Sequence, residues 1–396
     1  MTIALSEILL NPVFGIFAFL LLLLLIACTN AIYMDRMHRY PHRQASLPPE
    51  KQPRLSVLVP ARDEEDNIAR CVESLLTQDY ANYEVFVLND HSTDRTGAIL
   101  AALAVGNSRL QVIDGQALPD DWLGKNWACH QLSQAATGEL LLFVDADTTH
   151  LPQTLSQSVA ALIEANASML TALPRQEVLS CGERLVVPII YFSLLCFLPL
   201  PLVHRLRLPV FSAALGQFML FTRQAYDQIG GYAAVRSHGT DDIALARLVT
   251  ANDLPWRMVD GGESVSTRMY HDFRQAYQGF SKNLFAAFDY RILPFLFAWL
   301  WMGYLFFRPF IELGASLSGL QNSAMDAFFA GLSILASVAL WWLVTWRMRF
   351  PRTIFLFYPC IIFFAVLIAL RSVYLSLSGQ ASWKGRSLSR SVVRWI

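Results

Sequence analysis

Asp145 and Asp147 stand one residue apart directly after the apolar run Glu139 to Val144. Two carboxylates at alternate positions of a strand end can reach one hard divalent cation. Mg2+ or Mn2+ held in this way completes its shell with water and phosphate oxygens, and it neutralises the charge that builds on a departing diphosphate. Asp is also common at strand ends for turn chemistry alone, so the pair draws its weight from its setting. A second acidic pair, Asp241 and Asp242, follows Thr240 and precedes the apolar run Ile243 to Val249. Two readings are open for it. The acids can sit in a first helical turn, where carboxylates suit the dipole, or one can face a substrate cavity as a general base, its pKa lifted by the adjacent charge.

The elements that must position these acids read as alternating strands and helices. A β-branched run at Leu55 to Val59 leads through a polar turn to helical apolar spacing around Asn67 to Thr77. A second run, Tyr83 to Leu88, ends at Asn89 and Asp90, and a third, Glu139 to Val144, ends at Asp145. This alternation predicts an α/β domain with a largely parallel sheet. Ligands of such sheets bind beyond the carboxyl ends of the strands, where Pro60 to Glu65 and Asp90 to Asp94 lie. Neither GxGxxG nor GxxxxGK[ST] occurs, so glycines do not cradle the phosphates as in dinucleotide or P-loop sites.

Apolar residues make up 54% and charged residues 16% of the 396 positions, a deficit of charge that points to lipid contact. Formal net charge is zero, and no basic arm with interleaved aromatics occurs, so no nucleic-acid partner is expected. The six cysteines form no CxxC pair and read as core or lipid-facing thiols. Val13 to Met34 is apolar and long enough for a membrane-spanning helix (residues 1–35). Arg36, His38, Arg39, His42 and Arg43 follow it, the reverse of a signal peptide, which places the next domain in the cytoplasm. Residues 36–54 read as a basic, proline-bearing linker and 55–290 as the domain.

Three apolar segments close the chain within 291–375, at Ile292 to Phe307, Ala327 to Trp346 and Thr353 to Leu370. The loop with Arg347, Arg349 and Arg352 and the tail 376–396 with Lys384, Arg386, Arg390 and Arg394 are both basic. Both belong inside, which conflicts with a simple last span and leaves re-entry open. Leu185 to Val203 is apolar but divides Asp145 from Asp242, and Pro188, Pro199 and Pro201 break it. It is expected to lie at the membrane interface (185–207), with His204, Arg205 and Arg207 near anionic lipid; the alternative is a buried core helix.

Four motifs in order carry a family resemblance: VPARDEEDNI at Val59 to Ile68, LNDHSTDRT at Leu88 to Thr96, VDAD at Val144 to Asp147 and GTDDIALA at Gly239 to Ala246. With them the chain resembles family 2 glycosyltransferases of the GT-A fold. DWLGKNWACHQL, ERLVVP, GQFMLF and WKGR are similar to the integral-membrane branch that glycosylates carotenoids (chlorobactene-type) and hopanoids. The resemblance implies that Pro60, Ala61, Arg62 and Glu64 line a nucleotide pocket and that Asp90 binds the base. It gives Asp145 to ribose or metal, Asp147 to a divalent cation, and Lys125 and Lys282 to the diphosphate. Asp242, with Asp241 beside it, takes the place of the catalytic base, and Gln217 and Phe218 belong to the acceptor side. QxxRW, carried by processive members, is replaced by Gln278, Gly279, Phe280, Ser281 and Lys282, which favours single-sugar transfer over polymer synthesis.

The expected protein is a metal-dependent enzyme of a bacterial inner membrane. It moves one sugar, glucose first, from a UDP-sugar to a hydroxylated lipid, a carotenoid first, then hopanoid, ceramide or polyprenyl phosphate, by inverting displacement. A transporter would show charged clusters in mid-span, and a glycoside hydrolase would need no nucleotide pocket.

Overall fold

A computed structural model describes residues 11–40, 48–320, 323–379, 382–383, 386–387 and 393–395; His42, Arg43, Lys384 and Arg390 lie outside them. The apolar runs become strands because side chains cover them on both faces, as in buried parallel sheets. In chain order they are β1 (Leu55–Ala61), β2 (Tyr83–Asn89), β3 (Leu110–Asp114), β4 (Leu140–Val144), β5 (Thr148–His150), β6 (Met169–Leu173), β7 (Arg175–Gln176), β8 (Phe218–Thr222), β9 (Trp256–Asp260) and β10 (Val265–Thr267). Seven of them form one sheet in the order β3-β2-β1-β4-β8-β6-β9, and β5-β10-β7 form a small second one. The large sheet is parallel except for β8, which pairs antiparallel with β4 and β6. Chain order reverses around β1, whose neighbours are β2 and β4. The crevice beyond their carboxyl ends is where such sheets bind ligands.

The expected third strand is β4; β3 precedes it and was not anticipated. This edge strand is only partly covered, so its sequence lacks the continuous apolar run that marks the central strands.

Among the described residues, four helices are long and apolar enough to cross a membrane: Pro12–Tyr33, Ile292–Leu317, Ala324–Arg347 and Arg352–Ser378. The first is capped by Asn11, whose Oδ1 accepts from the amides of Val13 and Phe14. The second runs past its expected end at Phe307. Arg308 pairs with the buried Glu312 one turn on, so the charge that marked a boundary in the sequence is satisfied within the helix, and a charged pair does lie inside a candidate span. The two basic segments flanking the last helix both reach back to the body of the protein. Arg349 pairs with Asp260, and the peptide of Arg394 hydrogen-bonds Tyr290 and Ile292.

The segment Leu185 to Val203 forms short helices, Cys181–Val186, Pro188–Phe197 and Leu200–Leu206, bent by 61° at the break. Pro199 ends one helical ladder there, and Asn30 of the first spanning helix satisfies the freed backbone. Its Nδ2 donates to the carbonyls of Leu195 and Leu198 at 2.9 and 2.6 Å, and its Oδ1 accepts from Leu200 N. Phe192 stacks on Trp341 with ring centroids 4.4 Å apart, while Leu202 and Leu206 stay exposed.

One charge cluster joins the sheet to the spanning helices. Asp260, at the end of β9 and 1% exposed, pairs with Arg347 and Arg349. Arg347 also donates to the carbonyls of Ala31 and Met34, at the end of the first spanning helix. Burial works against the Asp260 charge, but Arg347 and Arg349 outweigh it and hold the carboxyl below its usual range. Asp260→Ala strands Arg347 as an uncompensated buried charge and should cost about 3–5 kcal/mol. Thermal unfolding in detergent should show the midpoint falling by several degrees; an unchanged midpoint would contradict the anchoring role.

Candidate active site

The loops after β1 and β2 are laced together. Asp63 N donates to Ser92 Oγ, Thr93 N to Asp63 Oδ1 at 2.7 Å, Glu64 N to Thr96 Oγ1 at 2.8 Å and Glu65 N to Asp94 Oδ2. Asp63 and His91 take left-handed backbone angles there, φ 50° and 53°, which Asp, Asn and His tolerate better than most residues. Arg62 donates from Nη1 to the Asp90 carbonyl at 2.8 Å, and Asp90 N donates to the carbonyl of Ala61. These bonds bring Pro60, Ala61, Arg62, Glu64 and Asp90 to one rim. Ala61 and Asp90 are nearly covered, at 1% and 3% exposure, and the Ala61 carbonyl is already taken by Asp90 N.

Across the crevice Asp145 leaves the end of β4 and meets Lys125 from the helix Gly124–Ala135, with Nζ to Oδ1 at 2.6 Å. Burial alone would lower the lysine's pKa, but Asp145 and then Asp241 hold it well above the usual value. Asp147 is differently placed. Its Oδ1 is buried without a hydrogen-bond partner, and burial, then the charges of Asp145 and Glu64, push its pKa up to about 7. Among the described residues no three His, Cys, Asp or Glu side chains are grouped to hold a metal. A divalent cation here would rest on Asp145 and Asp147 and take its other ligands from diphosphate and water, as Mg2+ commonly does. The orphaned Asp147 oxygen fits that arrangement.

Asp241 and Asp242 open the helix Asp241–Ala251 and face different ways. Asp241 accepts from the Tyr232 hydroxyl at 3.0 Å and is 8% exposed. Asp242 accepts from Ile243 N at 2.8 Å and Gly216 N at 3.0 Å. Burial and then the Asp241 charge raise its pKa to about 7. A Cβ built on Gly216 would lie 3.3 Å from Lys125 Nζ and 3.6 Å from Asp242 Oδ2. Lys125 and Asp242 therefore flank one backbone position, where a side chain would crowd the lysine. Both acids occupy the first helical turn, and Asp242 lies near Lys125 across Gly216.

Other expected residues are placed less centrally. Gln217 Oε1 accepts from Gln176 Nε2 at 2.8 Å. Phe218 is fully buried in the core beside His150, because side chains cover β8 on both faces, so it offers an acceptor no surface. Lys282 is half-buried on the helix Phe273–Asn283; burial lowers its pKa, and no ion pair among the described residues ties it to the acids. Gly216 and Tyr232 escaped sequence reasoning. The GQF stretch marked the first, but nothing local marked a tyrosine nine residues before its partner.

Residues 56–230 match the family model described as Glycosyl transferase family 2. The chain carries a family 2 glycosyltransferase domain. It is an enzyme of that class, and its mixed sheet is the GT-A fold. The 4,4'-diaponeurosporenoate glycosyltransferase of Staphylococcus aureus strain USA300 is 24% identical over 387 residues, 92% of this chain and 95% of that protein. The protein of the same name from strain MRSA252 is 28% identical over 268 residues, 65% of this chain and 67% of that one. Among solved structures, the mannosyltransferase PcManGT from Pyrobaculum calidifontis in complex with GDP-Man and Mn2+ matches with 16% identity and a TM-score of 0.46, covering 91% of this chain and 99% of that one.

The glycosyltransferase holds like charges together at this crevice. Asp147 binds its proton more tightly when folded than when unfolded, so its ionisation costs stability as pH rises from the ordinary carboxylate range through about 7. Asp147→Asn should raise the thermal midpoint of cation-free protein at about pH 8, with the gain vanishing in that acidic range. A lower midpoint at the alkaline pH would falsify this account of the site.

Proposed function

We propose that this enzyme transfers one sugar from a UDP-sugar, glucose first among candidates, to the hydroxyl end of a carotenoid-type lipid at the cytoplasmic face of a bacterial inner membrane. The observation that carries the reading is the convergence of Asp242, Lys125 and Asp145 about Gly216, in a domain pinned by Asp260 to helices suited to lipid. Arg36, Arg39 and Arg349 are on the stretch that meets the domain, which accords with a cytoplasmic orientation. The bent segment 185–207, with Leu202 and Leu206 exposed, is suited to the membrane interface beside the acceptor route.

In the mechanism, the rim of Pro60 to Glu64 with Asp90 orients the nucleotide, and Lys125 offers a positive charge to the diphosphate. Asp145 and Asp147 would hold a divalent cation, which would supply Lewis-acid stabilisation of the leaving group. The acceptor oxygen forms its bond to the anomeric carbon as the bond from that carbon to the diphosphate breaks. Asp242 takes the hydroxyl proton, UDP departs with the electron pair, and the anomeric centre inverts. Lys282 is a second cation for the diphosphate only if donor binding draws it in.

The Staphylococcus relatives are named for 4,4'-diaponeurosporenoate, a carboxylate by its name. A carboxylate is already ionised at neutral pH and needs no base, whereas a hydroxyl does. An Asp242 pKa near 7 suits a general base and favours the hydroxyl.

The test is mass spectrometry of nanodisc-embedded enzyme given UDP-glucose, Mn2+ and a pool of hydroxylated and carboxylated carotenoids. A new hexosylated hydroxycarotenoid is expected. Asp242→Asn should cut its formation about 100- to 10,000-fold while donor binding by calorimetry is retained. An undiminished rate in that variant, or hexose found only on carboxylates, would remove the base and the hydroxyl acceptor from the reading. For wild type, kcat/KM should rise with pH through about 7 as Asp242 loses its proton, and a flat profile across that range would count against the assignment.

A further inference from the structure

Three successive residues at the start of the helix Gly124–Ala135 each reach a different part of the crevice. Lys125 pairs with Asp145. Trp127 Nε1 donates to the carbonyl of Gln116 at 3.3 Å, next to Gly115, where a Cβ would lie 3.3 Å from Asp90 Cα. Between them Asn126 is 2% exposed and turns away from both. Its Nδ2 donates to the carbonyls of Val235 at 2.8 Å, His238 at 3.1 Å and Arg236 at 3.3 Å. Leu123 N adds a bond to the Arg236 carbonyl at 2.9 Å.

The loop 235–238 has no regular structure of its own and connects the helix Gly231–Ala234 to the helix Asp241–Ala251. Tyr232, before the loop, holds Asp241, and Asp242 follows the loop by four residues. Three carbonyls of one loop converging on a single buried amide group leave that loop one position relative to the helix that carries Lys125. The carbonyls of Val235 and Arg236 also accept from His238 N and Leu123 N, so removing the amide does not strand all three acceptors; it takes away the side-chain bonds that hold the loop to this helix, a loss that is costly where the group is buried.

We infer that Asn126 is a positioning residue for the transfer: it fixes the loop bearing Asp242 against the Lys125–Asp145 pair, so that proton removal and leaving-group stabilisation act on one substrate geometry. The inference rests on the proposed base role of Asp242. Displacements of about 1 Å at a reacting centre cost up to about 100-fold in rate, so the effect belongs in kcat. The nucleotide rim of Pro60 to Glu64 and the Lys125–Asp145 pair keep their own contacts without the amide, so donor affinity should be spared.

The test compares Asn126→Ala and Asn126→Ser, the latter keeping one donor, with wild type in nanodiscs. Hydrogen exchange is read by mass spectrometry, with UDP-glucose binding, kcat and thermal midpoint alongside. In Asn126→Ala, amides of residues 236–243 should exchange about tenfold faster or more, with strands β1, β2 and β4 unchanged. The same variant should lose about 10- to 100-fold in kcat, with donor affinity within about twofold, and Asn126→Ser should fall between. Unchanged exchange over 236–243, or a joint loss of donor binding, midpoint and kcat in both variants, would overturn it. If wild type transfers sugar to no acceptor, the proposed function fails, while the exchange result still decides the role of Asn126.

Discussion

The structure hangs on a buried aspartate. Asp260 ends a strand of the catalytic sheet, yet its counter-charges, Arg347 and Arg349, come from the end of a helix suited to the membrane and from the loop after it. Arg347 in turn grips the final carbonyls of the first spanning helix. A buried ion pair of this kind adds little net stability over an apolar replacement. Its effect is geometric, because any displacement of the sheet from the two helices would leave a charge without water or partner.

The bend at Leu198 to Leu200 depends on the same logic with neutral groups. A helix broken by proline frees carbonyls and amides, and burial makes each of them expensive. Asn30, a polar residue in an apolar helix, meets three of these needs with one side chain. The apolar segment is thereby bent by 61° and held against the first of the four long apolar helices.

Within the crevice the balance tips the other way. Asp145, Asp147, Asp241 and Asp242 converge with Lys125 among them, and two of the four are pushed up to about 7. Such a site is electrostatically costly without substrate, and under the proposed function that cost is the counterpart of a preformed place for a phosphate-bound cation and for a transferred proton. Gly216 sits between Lys125 and Asp242, where a side chain would press on the lysine.

Much of this was legible in the chain itself. The central strands, the acids at their ends, the order of the four motifs and the positions of the spanning helices follow from local apolar patterning and from carboxylates placed where strands stop. The edge strand β3 was not legible, since exposure removes its apolar signature, nor was the passage of a helix through Arg308 and Glu312, since only their pairing permits it. Phe218 was misplaced because β8 is covered on both faces, which proximity to Gln217 in the sequence does not reveal. The tyrosine under Asp241, the asparagine behind the loop 235–238 and the arginines on Asp260 were beyond sequence reading for one reason. Each is a polar group whose partner lies on another element, and only the close approach of those elements in three dimensions gives the residue something to hold.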